Sequence, residues 1–235
     1  MVESVVFPIR PQPVAILLGL LLTFQATAGQ TAPHVCQAPP GTILSGGSDG
    51  RLLGHLPYPQ QKGDRLVLVP RGFGSGGCQW IDRDLYPALE GMIAAARADL
   101  GPNYGLMGVS CFRSVERQRA IFCRSGSNTN EVLRAETAAP PGYSEHATGY
   151  AIDFGDRRRS DCHVKSCFAT TPTGRWLIAN APRFGFEMSF PPGNRQGVTS
   201  EPWHWRWVGL PVYVGAGLAQ DQFAVARSRF PSPPP

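Results

Sequence analysis

From Asp84 to Leu100 the chain carries Leu85, Leu89, Met92, Ile93, Ala96 and Leu100 at helical spacing, and Gly101-Pro102 follows at once. Apolar residues at these intervals form one stripe on a helix and Gly-Pro stops it, so the pattern predicts a helix laying one face on a sheet. Shorter apolar stretches read as strands: RLVLVP (65–70), MGVSCFR (107–113), the buried AIDF (151–154), GFEMSF (185–190) and WHWRWVG (203–209). Ser114 is a good N-cap and Glu116 suits the first turn, which predicts a helix from Val115 to about Cys123. A further helix is expected over 172–181, where Trp176, Leu177 and Ala181 share a face. Residues 124–143 are polar and end in APPG, a loop with room for one short helix. No internal repeat is visible. A few helices among short strands predict an α+β domain over residues 64–225, a small antiparallel sheet flanked by helices.

The ends read differently. Residues 29–63 are rich in Gly, Pro and Gln without periodicity and are expected to form a loop-rich arm. The Pro-rich stretch 226–235 is expected to be a disordered tail. Ahead of the arm, Arg10 precedes an apolar run, Val14 to Phe24, followed by Ala26-Thr27-Ala28. That is the order of a secretory signal ending near residue 28, and the run is about half the ~20 residues a membrane-spanning helix needs. An uncleaved anchor is the other reading. No second apolar stretch is long enough to span, so a mature chain of about 207 residues is expected to be one compact domain, periplasmic or secreted.

Composition sharpens this. All six cysteines follow residue 28, and no C-x-x-C pair occurs. An even count in an exported chain points to disulfides rather than zinc thiolates. Fifteen pairings are possible; Cys111–Cys123 and Cys162–Cys167 are favoured as local, leaving Cys36–Cys78. A loop of about a dozen residues closed this way contributes on the order of 3 kcal/mol. The net charge is +5, from twenty Arg and two Lys against 17 acids. The only tight basic cluster, Arg157 to Arg159, lacks interleaved aromatics, so nucleic acid is not an expected partner. An anionic envelope would attract such a chain.

The candidate chemistry lies in two places. SEHATGYAIDF (144–154) puts His146 and Asp153 seven residues apart, which on a continuous strand are opposite faces. Gly149 between them allows the chain to turn, and the aliphatic surroundings would bury Asp153, which then needs a cation or several donors. Alone, this reads more readily as a structural Asp. Fifty residues on, EPWHWRW (201–207) sets Trp203, Trp205 and Trp207 on one strand face and His204 and Arg206 on the other. Pro202 gives a bend that could swing Glu201 toward His204. Alone, that reads more readily as a Trp ladder with a hydrogen-bonded His and a surface Glu. Together they offer His146, Asp153 and His204 as two imidazoles and a carboxylate, the donor set of a catalytic zinc site with an open position for water. Glu201 is then the group to take a proton from that water. His163, inside DCHVKSC (161–167), is a weaker candidate for a fourth ligand, and His34 and His55 carry no expected role.

These residues resemble a known family. Ser144-x-His146-x-x-Gly149-x-Ala151-x-Asp153 and Glu201-Pro202-Trp203-His204 match the S-x-H-x-x-G-x-A-x-D and E-P-W-H elements of the VanY-type D-alanyl-D-alanine carboxypeptidases. These belong to the zinc peptidases that also include lysostaphin-like enzymes and the hedgehog signalling domain. A third element, usually Y-R-S followed by a Gln, stands here as Phe112-Arg113-Ser114 and Gln118, so a hydroxyl is missing at Phe112. The three elements occur in family order over about Val109 to Gly209. The resemblance implies zinc on His146, Asp153 and His204, with Glu201 as general base and Arg113 as the cation facing the developing oxyanion. It implies Ser144, Gln118 and Ser114 as substrate-binding positions. It further implies a monomeric enzyme removing the terminal D-alanine from peptidoglycan stem peptides. An L,D-carboxypeptidase or cross-link endopeptidase would use the same metal site. A non-catalytic zinc-bearing domain that binds wall peptide or protein is the alternative of another class.

Overall fold

The computed structural model describes residues 34–124 and 130–231. At its centre is a four-stranded antiparallel sheet in the order β3 (Leu106–Ser110), β4 (Ala151–Asp156), β6 (His204–Trp207), β5 (Phe186–Met188). A separate antiparallel pair joins β1 (Leu66–Leu68) to β2 (Trp80–Asp82). The helices are α1 (Tyr86–Leu100), α2 (Val115–Phe122), α3 (Glu131–Ala135), α4 (Pro172–Asn180) and α5 (Ala216–Arg229). This is the expected α+β class, with the sheet small and antiparallel.

Local chemistry sets the helix starts. The Asp82 carboxylate accepts the Asp84 amide in the 3-10 turn leading into α1, and Gly101 ends that helix. Ser114 caps α2, Asn130 caps α3 and Thr171 caps α4, where Pro172 occupies the first turn without losing a needed N–H. The buried stripe of α1 is Ala88, Leu89, Met92 and Ala96. It belongs to a core with Leu106, Ile152, Phe154, Phe168, Leu177, Phe186, Trp207 and Phe223. Every residue of β4 is buried, as expected of a central strand covered on both faces.

The structure adds packing to the N-terminal arm and departs from the sequence reading at the C-terminal end. Residues 34–63 carry a small core of their own: Val35 and Leu52 pack with Phe122, Ala135 and Tyr143. The Glu131 carboxylate accepts the amides of Val35 and Cys36. Helix α5 runs to Arg229, so its last turn occupies the start of the stretch expected to be a tail; residues 232–235 and the apolar run 14–24 lie outside the described residues.

Two expected disulfides are also replaced. The pairs are Cys36–Cys123, Cys78–Cys111 and Cys162–Cys167; only the last is as favoured. The reason is spatial. The segment before β2 runs along β3, where Ser75 donates its amide to the Gly108 carbonyl, and this lays Cys78 against the end of that strand. A Cβ on Gly108 would come within 2.3 Å of Cys78 Sγ, so the approach requires glycine there. Cys123, at the end of α2, is left to clasp the N-terminal arm.

Candidate active site

His146 sits in a 3-10 turn, Glu145–Thr148, and Asp153 in the middle of β4. Between them Gly149 adopts φ +74°, which reverses the chain at low cost, and its carbonyl accepts the Asp82 amide at 2.9 Å. In the β4–β6 register Asp153 lies directly opposite His204. One donor atom from each of His146, Asp153 and His204 falls within 4.8 Å of the others, and all three residues are buried.

The neighbours fix which nitrogen carries each proton. His146 Nδ1 lies 2.7 Å from the Cys111 carbonyl, which can only accept, so Nδ1 is protonated and Nε2 presents a lone pair. That lone pair has no hydrogen-bond partner, although Asp153 Oδ2 is 3.2 Å away. His204 Nε2 lies 3.0 Å from Glu145 Oε2, so it is protonated in turn, and Nδ1 faces Asp153 Oδ1 at 2.8 Å. On the His146 side of Asp153 an acceptor therefore faces an acceptor, and on the His204 side the contact closes only if Nδ1 is protonated as well. A buried group of this kind is satisfied only by a cation between them, either a second proton on His204 or a metal.

The electrostatics agree. Burial would lower the His204 imidazole, but Asp153 and Glu145 outweigh it and raise the pKa to about 10. At His146 burial and the Arg113 charge win, lowering it to about 4. Burial would raise Asp153, yet His146 and His204 together hold it well below the usual carboxylate range. Two imidazole lone pairs and one carboxylate, opening on a cavity, are the ligands of a catalytic zinc site. The residues fit zinc.

Two further charged groups meet the cluster. Glu201 is fixed by backbone bonds to Phe190 and His204, and its Oε2 lies 4.0 Å from His204 Nδ1. Burial outweighs the attraction of His204 and raises its carboxyl to about 8. Arg113 follows β3 and donates its amide to the His146 carbonyl at 3.2 Å. Its buried Nε has no partner, and desolvation lowers the guanidinium against the pull of Asp153 and Glu201. Both line an open cavity of about 320 Å³ with the three candidate ligands, Ser144 and Gln118. Gln118 donates Nε2 to the Ala139 carbonyl at 2.7 Å and leaves Oε1 unpartnered. Ser114 is not among the lining residues: its hydroxyl accepts the Arg117 amide at 3.1 Å and is committed to capping α2. His163 is turned away, with Nε2 3.0 Å from the Asp156 carbonyl. His55 is buried, lines the cavity and has Nε2 2.7 Å from the Ala135 carbonyl.

Sequence reasoning missed Glu145. It is 3% exposed and accepts from four groups: His204 Nε2, the Ser189 hydroxyl, Arg206 Nη1 at 3.0 Å and Tyr58 at 3.2 Å. The available signal was Arg206, a charge on the same strand face as His204 in an otherwise aromatic run.

Comparison with known proteins places this geometry. The family model described as VanY, D-alanyl-D-alanine carboxypeptidase, matches residues 79–210. A D-alanyl-D-alanine carboxypeptidase of Enterococcus faecalis (strain ATCC 700802 / V583) is 33% identical over 165 residues, 66% of this chain and 56% of that protein. The chain spans about half the length of the curated relatives it matches. Among solved structures, the LdcB LD-carboxypeptidase aligns with a TM-score of 0.58 and 31% identity over 71% of this chain and 77% of its own. A mutant of the D,D-pentapeptidase VanY from a VanB-type resistance cassette, in complex with Zn(II), aligns with a TM-score of 0.50 and 29% identity over 72% and 89%.

Proposed function

The chain belongs to the VanY family of D-alanyl-D-alanine carboxypeptidases, and from that premise we propose that it is a zinc peptidase that trims the terminal D-alanine from peptidoglycan stem peptides. The observation that carries this reading is the pair of opposed acceptors, His146 Nε2 and Asp153 Oδ2, beside a carboxylate and an unpaired guanidinium in one cavity. His146, Asp153 and His204 would hold the metal. Zinc there supplies Lewis-acid polarisation of a carbonyl and acidification of water.

The chain's own groups do the rest. Glu201 takes a proton from the attacking water as the new C–O bond forms at the scissile carbonyl. Its carboxylate lines the same cavity, placed for this and for returning the proton to the departing amine as the C–N bond breaks. Arg113, desolvated and unpaired at Nε, is a preorganised donor for the negative oxygen of the tetrahedral species. Ser144 and Gln118 line the same cavity, beside where the peptide would lie. Ser114 has no part in this. Three disulfides support action outside the reducing cytoplasm.

One second reading has a specific observation behind it. The likeness to the LD-carboxypeptidase LdcB supports cleavage of tetrapeptides by the same site. Mass-spectrometric product analysis decides: the zinc-loaded chain is incubated with muropeptides ending in D-Ala-D-Ala, with tetrapeptides and with cross-linked dimers, beside Glu201→Ala. Loss of one alanine from the pentapeptide by wild type alone is the expected result. Loss from the tetrapeptide only would move the assignment to L,D-carboxypeptidase, and no turnover of any substrate with zinc bound would leave a binding domain.

A further inference from the structure

We propose that Glu145 is a positioning residue of the metal centre: it holds the Nε2–H of His204 so that Nδ1 is the nitrogen left to ligate. The inference rests on the zinc reading above. Glu145 immediately precedes His146, so one 3-10 turn carries a candidate ligand and the carboxylate that grips the other. Its Oε2 faces His204 Nε2 at 3.0 Å and also accepts the Ser189 hydroxyl. Its Oε1 accepts Arg206 Nη1 at 3.0 Å and the Tyr58 hydroxyl at 3.2 Å.

A carboxylate with four donors in place has no freedom to turn, so it fixes what it touches. Its charge is balanced by Arg206, which donates Nε to Glu187 Oε1 at 2.7 Å and lies over the Phe223 ring. The His204 ring also packs against Phe190, 5.1 Å away at 31°, and edge-on to His146 at 4.8 Å. Phe190 fixes the ring plane but not which nitrogen bears the proton; Glu145 alone does that from the side away from Asp153. Metal-ligating imidazoles commonly donate their second N–H to a carboxylate, which sets the tautomer and raises ligand basicity. Here His146 is set by a neutral carbonyl, Cys111, and His204 by an anion. The two imidazoles are therefore unequal ligands.

The test uses the full chain. Zinc affinity is measured by competition with a chromophoric chelator for wild type, Glu145→Gln and Glu187→Gln, and the His204 tautomer is read by 15N–1H NMR of the zinc-loaded wild type. Loss of affinity by about 10–100-fold in Glu145→Gln is expected. Glu187→Gln, which touches Arg206 but not His204, should stay within about twofold of wild type. The wild-type spectrum should show His204 protonated at Nε2. A folded Glu145→Gln that binds zinc as tightly as wild type, or a wild type with His204 protonated at Nδ1, would overturn the inference alone. The spectrum decides even if Glu145→Gln does not fold. A wild type that binds no zinc would overturn the zinc reading and this inference with it.

Discussion

Two buried carboxylates lie on either side of the Gly149 turn, and they are satisfied in opposite ways. Asp82 is fully buried and receives both arms of Arg65, Nε and Nη2, each at 2.9 Å. It also accepts Gln61 Nε2 at 2.7 Å and the Asp84 amide at 2.9 Å, while Arg65 reaches on to Asp84 and Tyr150. Charge and hydrogen bonds are all met from within the chain. Asp153, 5% exposed, faces two imidazoles whose outward nitrogens already hold protons for Cys111 and Glu145. Nothing in that trio supplies a permanent cation. The first cluster ties β2 to the turn, and the second is built to receive something. A charge balance closed by arginine is architecture; one left open at the base of a cavity points to a ligand.

Removing each carboxylate should separate the two. Glu201→Ala is expected to lower turnover by about 10²–10⁴-fold with zinc retained, the range for losing a general base, whereas Asp153→Asn should lose turnover and zinc together. D-alanine release alongside metal analysis distinguishes the two variants. Asp82→Asn should cost about 2–3 kcal/mol of stability in urea unfolding and leave zinc affinity unchanged. That is toward the low end for a broken buried pair, because Arg65 is a quarter exposed and keeps Asp84. Equal destabilisation by Asp82→Asn and Asp153→Asn, or zinc loss in both, would erase the contrast.

A subtler effect concerns pH. In zinc-free protein the Glu201 carboxyl is raised from its ordinary 4.5 to about 8. Across that interval the folded chain keeps a proton that the unfolded chain has released, so the Glu201 contribution to stability falls as pH rises. In urea unfolding of the zinc-free chain from pH 4.5 to 8, stability should fall more steeply in wild type than in Glu201→Gln. Both share a background in which the lowered His146 opposes the decline below pH 6.5 and the raised His204 adds to it above. An identical pH slope in the variant would remove Glu201 as its source. Smallest of all, Arg159→Ala breaks an exposed pair with Asp161 and should leave both melting temperature and zinc affinity unchanged.

The sequence was most legible where chemistry and local geometry coincide. The α1 stripe, the Ser114 cap and the buried β4 follow from periodicity and capping, and the ligand trio from residue type with a glycine placed to turn the chain. What depended on tertiary placement was not readable. Cys78 meets Cys111 because its segment runs along β3, and no local pattern states that neighbour. Helix α5 escaped notice although Ala216, Ala219, Phe223 and Ala226 mark a buried face, because three of its four anchors are alanines and give a faint apolar signal. Glu145 was overlooked for a related reason. An acid beside a histidine looks like surface, and only the packing of Tyr58, Ser189 and Arg206 around it makes it interior.

The direct opposition of Asp153 and His204 across β4 and β6 has a consequence for how the chain tolerates change. A slip of one residue in that pairing would present a Trp face where His204 now stands, so ligation by the proposed pair would depend on parity and be lost in one step. The 47 residues between the two strands carry α4, β5 and Glu201, so only the turns joining those elements are free of this constraint. Such turns can lengthen or shorten without altering which atoms face each other, while one residue inserted within Ala151–Asp153 or His204–Arg206 would scramble the pairing. Metal uptake at the proposed site would therefore be a digital report on strand alignment, sensitive to a single count inside the ladder and tolerant of length in the connecting turns.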